Sequence, residues 1–210
     1  MRKTLLMTAL FLICMPPIFS TVLLTGFGPF GEHDQNVSYE GIRELDGTDL
    51  RGRRTAVIRL PVEWEASRTR LLRALEEYAP QAAVSAGIDA SARADVVVEA
   101  YARNRTAALA DTLGRLPPAH GKVVPGAQAV IPSALSADAA VQALQSAGID
   151  AAASTDPGGY LCGWVYYLLL YELEDSAPGV FLHFRPETSP ETVRRAAVII
   201  TKLLLETAAD

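Results

Sequence analysis

Short apolar runs that stop at glycine or proline alternate along this chain with amphipathic helical stretches, and that alternation leaves few folds open. TVLLT (21–25) runs into Gly26, TAVIRLPV (55–62) and DVVVEAYA (95–102) are rich in β-branched residues, AAVSAG (82–87) ends at a glycine, and GVFLHF (179–184) is a strand-length apolar block. Between them lie helices. SYEGIREL (38–45) can begin one with Ser38 as N-cap. EWEASRTRLLRALEEYAP (63–80) repeats Leu71, Leu72, Leu75 and Tyr78 at helical spacing and stops at Pro80. SADAAVQALQSAG (136–148) is opened by Ser136 and closed by Gly148, and IDAAAS (149–154) leads from it into a glycine turn. SPETVRRAAVIITKLLLE (189–206) begins with Ser189 as N-cap and Pro190 at the first helical position. Strands alternating with helices predict an α/β fold: a three-layer α/β/α sandwich around a mainly parallel, twisted sheet. Residues 103–128, broken by Pro117, Pro118, Gly121, Pro125 and Gly126, read as irregular. No repeat or linker interrupts 21–210, which reads as a single domain.

The first twenty residues stand apart. Arg2 and Lys3 precede an apolar stretch from Leu5 to Met15 and then Pro16-Pro17. That is a charged n-region and an h-region of signal-peptide length, shorter than the ~20 apolar residues of a membrane span. No Ala-x-Ala cleavage site follows, and Ile13 before Cys14 argues against lipid attachment. Two readings stay open: a signal segment, or an extension that is not removed. The net charge of −5, without a basic block, argues against a nucleic-acid partner. Two cysteines, Cys14 and Cys162, make no disulfide framework, and three histidines without metal-ligand spacing argue against structural zinc.

Sites in such sheets form outside the carboxyl ends of strands. Four segments are expected there: LLTGFGPFG, VSAGIDASAR, AASTDPGGYLC and FLHFRP. Cys162 follows Gly158 and Gly159 and opens an apolar, helix-like run from Leu161. A lone cysteine is commonly a small buried hydrophobe. At a helix N-terminus, however, the positive end of the dipole favours a thiolate, and the free backbone N–H groups offer an oxyanion site. His183 is the histidine at a strand end, suited to serve that thiolate, whereas a hydrogen-bonded core histidine is the other reading. His33 and His120 read as surface residues. Glu99 interrupts VVVEAYA, where it either orients an imidazole or faces solvent from an edge strand.

The stretch VLLTGFGPFGEHDQNVS resembles the opening of the pyroglutamyl-peptidase I (pyrrolidone-carboxylate peptidase) family of cysteine peptidases, with Gly26, Phe27, Pro29, Phe30 and Gly31 followed by Asn36, Val37 and Ser38. RLPVEWEAS (59–67), VVPGAQAVIPSALSADAAVQALQSAGIDAAAS, the pattern Ser154, Gly158, Tyr160, Cys162, and FLHFRP continue the likeness in order to the C-terminus. The resemblance implies an aminopeptidase that removes an N-terminal pyroglutamyl residue, with Cys162 as nucleophile, His183 as general acid/base and Glu99 as the orienting carboxylate. It implies that Phe27 and Phe30 flank a flat lactam ring and that Leu161 lines its apolar pocket; a ring with two apolar faces and one polar edge suits such walls. The glycines around both phenylalanines predict a turn rather than a core location. The resemblance also implies small peptide substrates with a blocked N-terminus, no cofactor, no membrane partner for the mature domain, a homotetramer, and a cytoplasmic location unless residues 1–20 direct export.

The sequence departs from the family pattern at several points. GIDASAR (87–93) stands where the family has Gly-Gly-Arg, Ala108 or Leu109 stands where it has an arginine near the reaction centre, and Gly163 replaces its asparagine after the nucleophile. Val37 replaces a proline, and Arg103 or Arg105 is the available substitute for the missing arginine. These departures keep two alternatives in view: a binding module with impaired catalysis, or a hydrolase of another small N-terminal cap.

Overall fold

The computed structural model describes residues 20–31, 34–118 and 121–207; the leader-like segment with Cys14, and His33 and His120, fall outside them. Among the described residues, nine strands and five α-helices follow the expected alternation. Seven strands form one sheet in the order β2 (Asp49–Leu50), β3 (Arg53–Leu60), β1 (Thr21–Phe27), β4 (Ala82–Ile88), β9 (Gly179–Phe184), β5 (Val96–Glu99), β8 (Ala151–Ser154). β3, β1, β4 and β9 are parallel to one another, and β5 is parallel to β8. β5 runs antiparallel to β9, and β2 antiparallel to β3.

Strands covered on both faces bury successive residues to opposite sides. Leu23, Ala83 and Phe181 pack beneath α2 (Trp64–Tyr78) and α4 (Leu161–Leu173). Val22, Leu24, Val84, Ala86, Val96, Val98, Leu182 and Phe184 join the residues of α3 (Ala137–Ser146) and α5 (Pro190–Thr207) in a second core on the other face. The three layers predicted from the sequence are therefore present. No helix among the described residues is long and apolar enough to cross a membrane.

Three local expectations change. The buried stripe of α2 is Trp64, Ser67, Leu71 and Ala74, with Leu72, Leu75 and Tyr78 along its edge. The first helix shrinks to α1 (Val37–Glu40) followed by a 3-10 turn over Arg43–Leu45, and its cap is Asn36, not Ser38. Asn36 Oδ1 accepts from the Ser38 N–H and hydroxyl, and its Nδ2 donates to Gly28 O at 3.1 Å, so this side chain ties the helix start back to the glycine-rich turn after β1. The run DVVVEAYA divides at Ala100. Its end, β6 (Tyr101–Arg103), leaves the main sheet to pair with β7 (Val130–Pro132). Glu99 is thereby the last residue of β5.

The strand directions also correct the expectation that all four glycine-bounded segments leave one rim. β1, β4 and β9 end there at Phe27, Ile88 and Phe184, but β8 runs the other way, and Ser154 lies level with Phe181 in mid-sheet. Residues 155–160 climb back to the rim before α4 starts. That helix then descends until Leu169, Leu170 and Leu173 reach Gly179 at the far end of β9. This return loop is what brings Cys162 to the same rim as His183.

Candidate active site

The register of the sheet explains how Glu99 meets His183. Across the antiparallel pair, Val97 opposes His183 and Glu99 opposes Phe181. Glu99 and His183 are thus diagonal neighbours on one face, a separation that long side chains span. His183 Nδ1 donates to Glu99 Oε1 at 2.8 Å. Both are buried, Glu99 at 2% exposure and His183 at 4%, so the solvent-facing alternative for Glu99 is excluded. Glu99 Oε2 is buried and has no hydrogen-bond partner among the described residues. A carboxylate so placed depends on a cation beside it.

His183 supplies that cation. Burial alone would drive its pKa down, but the charge of the Cys162 sulfur and a hydrogen bond to it, with Glu99 adding the rest, outweigh burial and push it up to about 10. With Nδ1 committed to Glu99, Nε2 is the nitrogen left for the sulfur. Phe181 packs against the imidazole with ring centroids 4.8 Å apart and limits its tilt.

Cys162 is the second residue of α4 and only partly buried. Tyr160 occupies the N-cap, and no side chain caps this end. By contrast, α1 is capped by Asn36 and α3 by Ser136. The first N–H groups of α4 therefore have no intrahelical partner and no side-chain cap, at the end of the helix that carries the sulfur. The turn before it is held by Asp156. Gly158, at φ +78° in the left-handed region, donates its N–H to Asp156 Oδ1, and Arg105 forks onto both carboxylate oxygens at 2.7 Å. That Arg105 hydrogen bond holds the Asp156 carboxyl below its usual range against the opposing push of burial. Arg103 donates to Thr155 O at 2.9 Å. Both arginines that the sequence offered in place of the family's arginine are thus occupied in bracing the turn.

The glycine after the nucleophile has a steric reason. A Cβ on Gly163 would overlap the carbonyl oxygen of Gly158. An asparagine here would require a different turn. We expect Gly163→Ala to cost about 1–3 kcal/mol of overpacking and to depress activity by moving the 157–160 turn; urea melts and rates on the same preparation would check this. The GIDASAR departure is similarly self-consistent. Asp89 Oδ1 accepts from Ser91 N–H at 2.8 Å and Ser91 Oγ at 2.6 Å, so a carboxylate makes the turn that paired glycines make elsewhere.

The other predicted residues divide. Phe27 closes β1 and is buried at 3%, a core position rather than the expected turn. Phe30 lies in the turn, half-buried against the same cluster. Leu161 is buried at 1% in that cluster. The irregular segment after β6 lies close by. Asp111 accepts from the N–H groups of Trp64, Leu113 and Arg115, Trp64 Nε1 donates to Leu109 O, and the Tyr160 hydroxyl donates to Ala110 O. Those N–H groups outweigh burial and hold Asp111 below the usual carboxylate range. Sequence reasoning missed Asp111, Asp156 and Tyr166, whose hydroxyl donates to Glu99 O at 3.0 Å from α4. Only Asp156 carried a signal, as the residue before Pro-Gly-Gly.

Comparison with known proteins identifies the family and the fold. The model of the pyroglutamyl peptidase family matches residues 20–186. The chain belongs to the pyroglutamyl peptidase family. It is 35% identical to the pyrrolidone-carboxylate peptidase of Chromobacterium violaceum over 184 residues, covering 87% of this chain and 85% of that one. It is 36% identical to the enzyme of the same name from Pectobacterium atrosepticum over 179 residues, covering 83% and 81%. Among solved structures, pyroglutamyl peptidase I of Bacillus amyloliquefaciens superposes with a TM-score of 0.81 at 25% identity, covering 91% of this chain and 98% of that one. A mutant pyrrolidone carboxyl peptidase from Pyrococcus furiosus gives 0.82 at 27% identity, covering 89% and 98%. The family is one of cysteine peptidases, and its mixed, mostly parallel sheet is the one described above.

Proposed function

We propose that this member of the pyroglutamyl peptidase family hydrolyses the bond after an N-terminal pyroglutamyl residue, with Cys162 as nucleophile, His183 as general acid/base and Glu99 as the carboxylate that orients it. The observation that carries the reading is the buried His183 imidazole, held by Glu99 at 2.8 Å and pushed up in pKa by the neighbouring Cys162 sulfur, which sits at an uncapped helix start. A thiol and imidazole paired in this way support turnover rather than a binding module.

The Cys162 sulfur attacks the acyl carbonyl carbon, and the first N–H groups of α4 receive the developing oxyanion. The imidazolium proton passes to the departing nitrogen as the C–N bond breaks, leaving a thioester on sulfur. Neutral His183 then takes a proton from water as the water oxygen attacks the thioester. Pyroglutamic acid leaves, and the thiolate–imidazolium pair is restored. Throughout, Glu99 keeps the ring in one orientation and balances the charge that comes and goes. Phe30, half-buried in the turn, is the apolar surface on which the lactam rests, backed by the core residues Phe27 and Leu161. One unit spanning 21–210 carries the whole reaction, on small peptides with a blocked N-terminus, and the reading includes assembly as a homotetramer.

The purified protein lacking residues 1–20 should release a fluorogenic amine from its pyroglutamyl conjugate and leave the matching prolyl and acetyl conjugates intact. Cleavage of the acetyl conjugate with the pyroglutamyl one untouched would overturn the assignment of the acyl group. Absence of release from all three would overturn the hydrolytic reading.

A further inference from the structure

Gly87 lies in the part of the sheet that faces the thiol, and nothing in its backbone conformation demands glycine, because its φ is outside the left-handed region. What demands glycine is volume. β4 pairs in parallel with β9 so that Gly87 is the strand neighbour of His183, and neighbours in register project to the same face. A Cβ on Gly87 would sit 2.7 Å from Cys162 Sγ and 2.9 Å from Phe181 Cζ. Both distances lie well inside the optimum of about 3.5–4.0 Å for non-bonded contact. The space that any other residue would fill beside the imidazole is therefore occupied by the sulfur itself. On its other side, Phe181 is fully buried and already packed against both His183 and Tyr166. The Phe181 ring cannot yield to an added methyl, and backbone fixes β4, so the sulfur is the atom that would have to move.

We propose that Gly87 is a positioning residue for the nucleophile: its missing side chain creates the seat that holds the Cys162 sulfur against the β4–β9 pair, within hydrogen-bonding reach of His183. The inference rests on the reading of Cys162 as nucleophile, but it concerns where the sulfur is kept rather than which bond is cleaved. An alanine at 87 pushes the sulfur out along the rim, lengthening its contact with the imidazole while leaving the acyl pocket residues Phe30 and Leu161 in place. The kinetic signature is turnover slowed by about two orders of magnitude or more with KM nearly unchanged, since a displacement near ~1 Å of a reacting atom costs about that much.

The experiment compares wild type, Gly87→Ala, Cys162→Ala and the double variant. Iodoacetamide alkylation of Cys162 is followed at neutral pH in wild type and Gly87→Ala, and urea stability is measured for all four. In Gly87→Ala alkylation should be slower than in wild type, because the sulfur has left its imidazole partner. The stability loss from Gly87→Ala should shrink when Cys162 is alanine, because the atom it collides with is gone. An unchanged alkylation rate in Gly87→Ala overturns the proposal. So does an equal stability loss with and without the sulfur, which would mean that Phe181 alone forbids a side chain. If Gly87→Ala does not fold, recovery of a folded protein in the double variant supports the proposal, and failure of the double variant to fold overturns it. Wild-type alkylation no faster than that of a free thiol would overturn the nucleophile reading, while the stability cycle would still decide the steric claim about Gly87.

Discussion

Cys162→Ala is expected to abolish release of the amine from a pyroglutamyl conjugate, slowing turnover by about 10⁴-fold or more, while leaving the fold intact. Loss of the covalent step cannot be made good by the remaining groups, because water attack on an amide would have to proceed without the thioester intermediate. Stability should change little, since the side chain is small and only partly buried. On the proposed reading the substrate should still bind, because Phe30 and the cluster beneath it are untouched. Equilibrium binding of an uncleaved pyroglutamyl peptide to the variant would therefore separate loss of chemistry from loss of recognition. Residual turnover within tenfold of wild type would remove Cys162 from the mechanism.

His183→Ala should be nearly as severe, and the pH dependence around it carries more information. The pKa of His183 is pushed up to about 10 because the sulfur charge and its hydrogen bond, and then Glu99, outweigh the effect of burial. In the proposed mechanism the protonated ring delivers a proton to the leaving nitrogen. Activity should therefore persist above neutrality and fall as pH rises through about 10, where the ring loses its proton. Glu99→Gln keeps a hydrogen-bond acceptor but removes a buried negative charge 2.8 Å from Nδ1. An imidazolium without that neighbour is easier to deprotonate, so the alkaline limb should shift to lower pH, together with slower turnover. His183→Ala has no such limb to shift, and its residual rate should not fall as pH rises through the same range. The check is kcat/KM against pH for the three proteins. An alkaline limb unmoved in Glu99→Gln would mean that Glu99 does not act through the imidazole.

The alternation of strand-length apolar runs with helices was legible because each element advertises itself locally. β1, β4 and β9 are continuous apolar blocks, and α5 carries its serine and proline at the start. Local readings failed where a tertiary contact competed with a local one. Ser38 looked like a helix cap, yet its hydroxyl accepts from the Phe27 N–H and donates to Asn36, which does the capping. The run through Glu99 looked like one strand, but Ala100 is held between Ser154 O and Ser133 N–H, and the chain turns away into a second sheet. Phe27 looked exposed among glycines, although the same glycines let β1 run on into the core.

By itself, the sequence determined the layer architecture, the glycine turn before Cys162, and the short list of groups able to do nucleophilic chemistry, because periodicity, capping and side-chain type are properties of neighbouring residues. Only the tertiary structure decided that β5 runs against β9, which turns Glu99 toward His183, and that the chain after β8 climbs back to deliver Cys162 to the same rim. It also decided that Arg103 and Arg105 brace the Asp156 turn and that Gly87 leaves room for the sulfur. The reason is that strand direction and register bring together residues 84 positions apart for His183 and Glu99, and no local pattern encodes which face or which neighbour such residues will find.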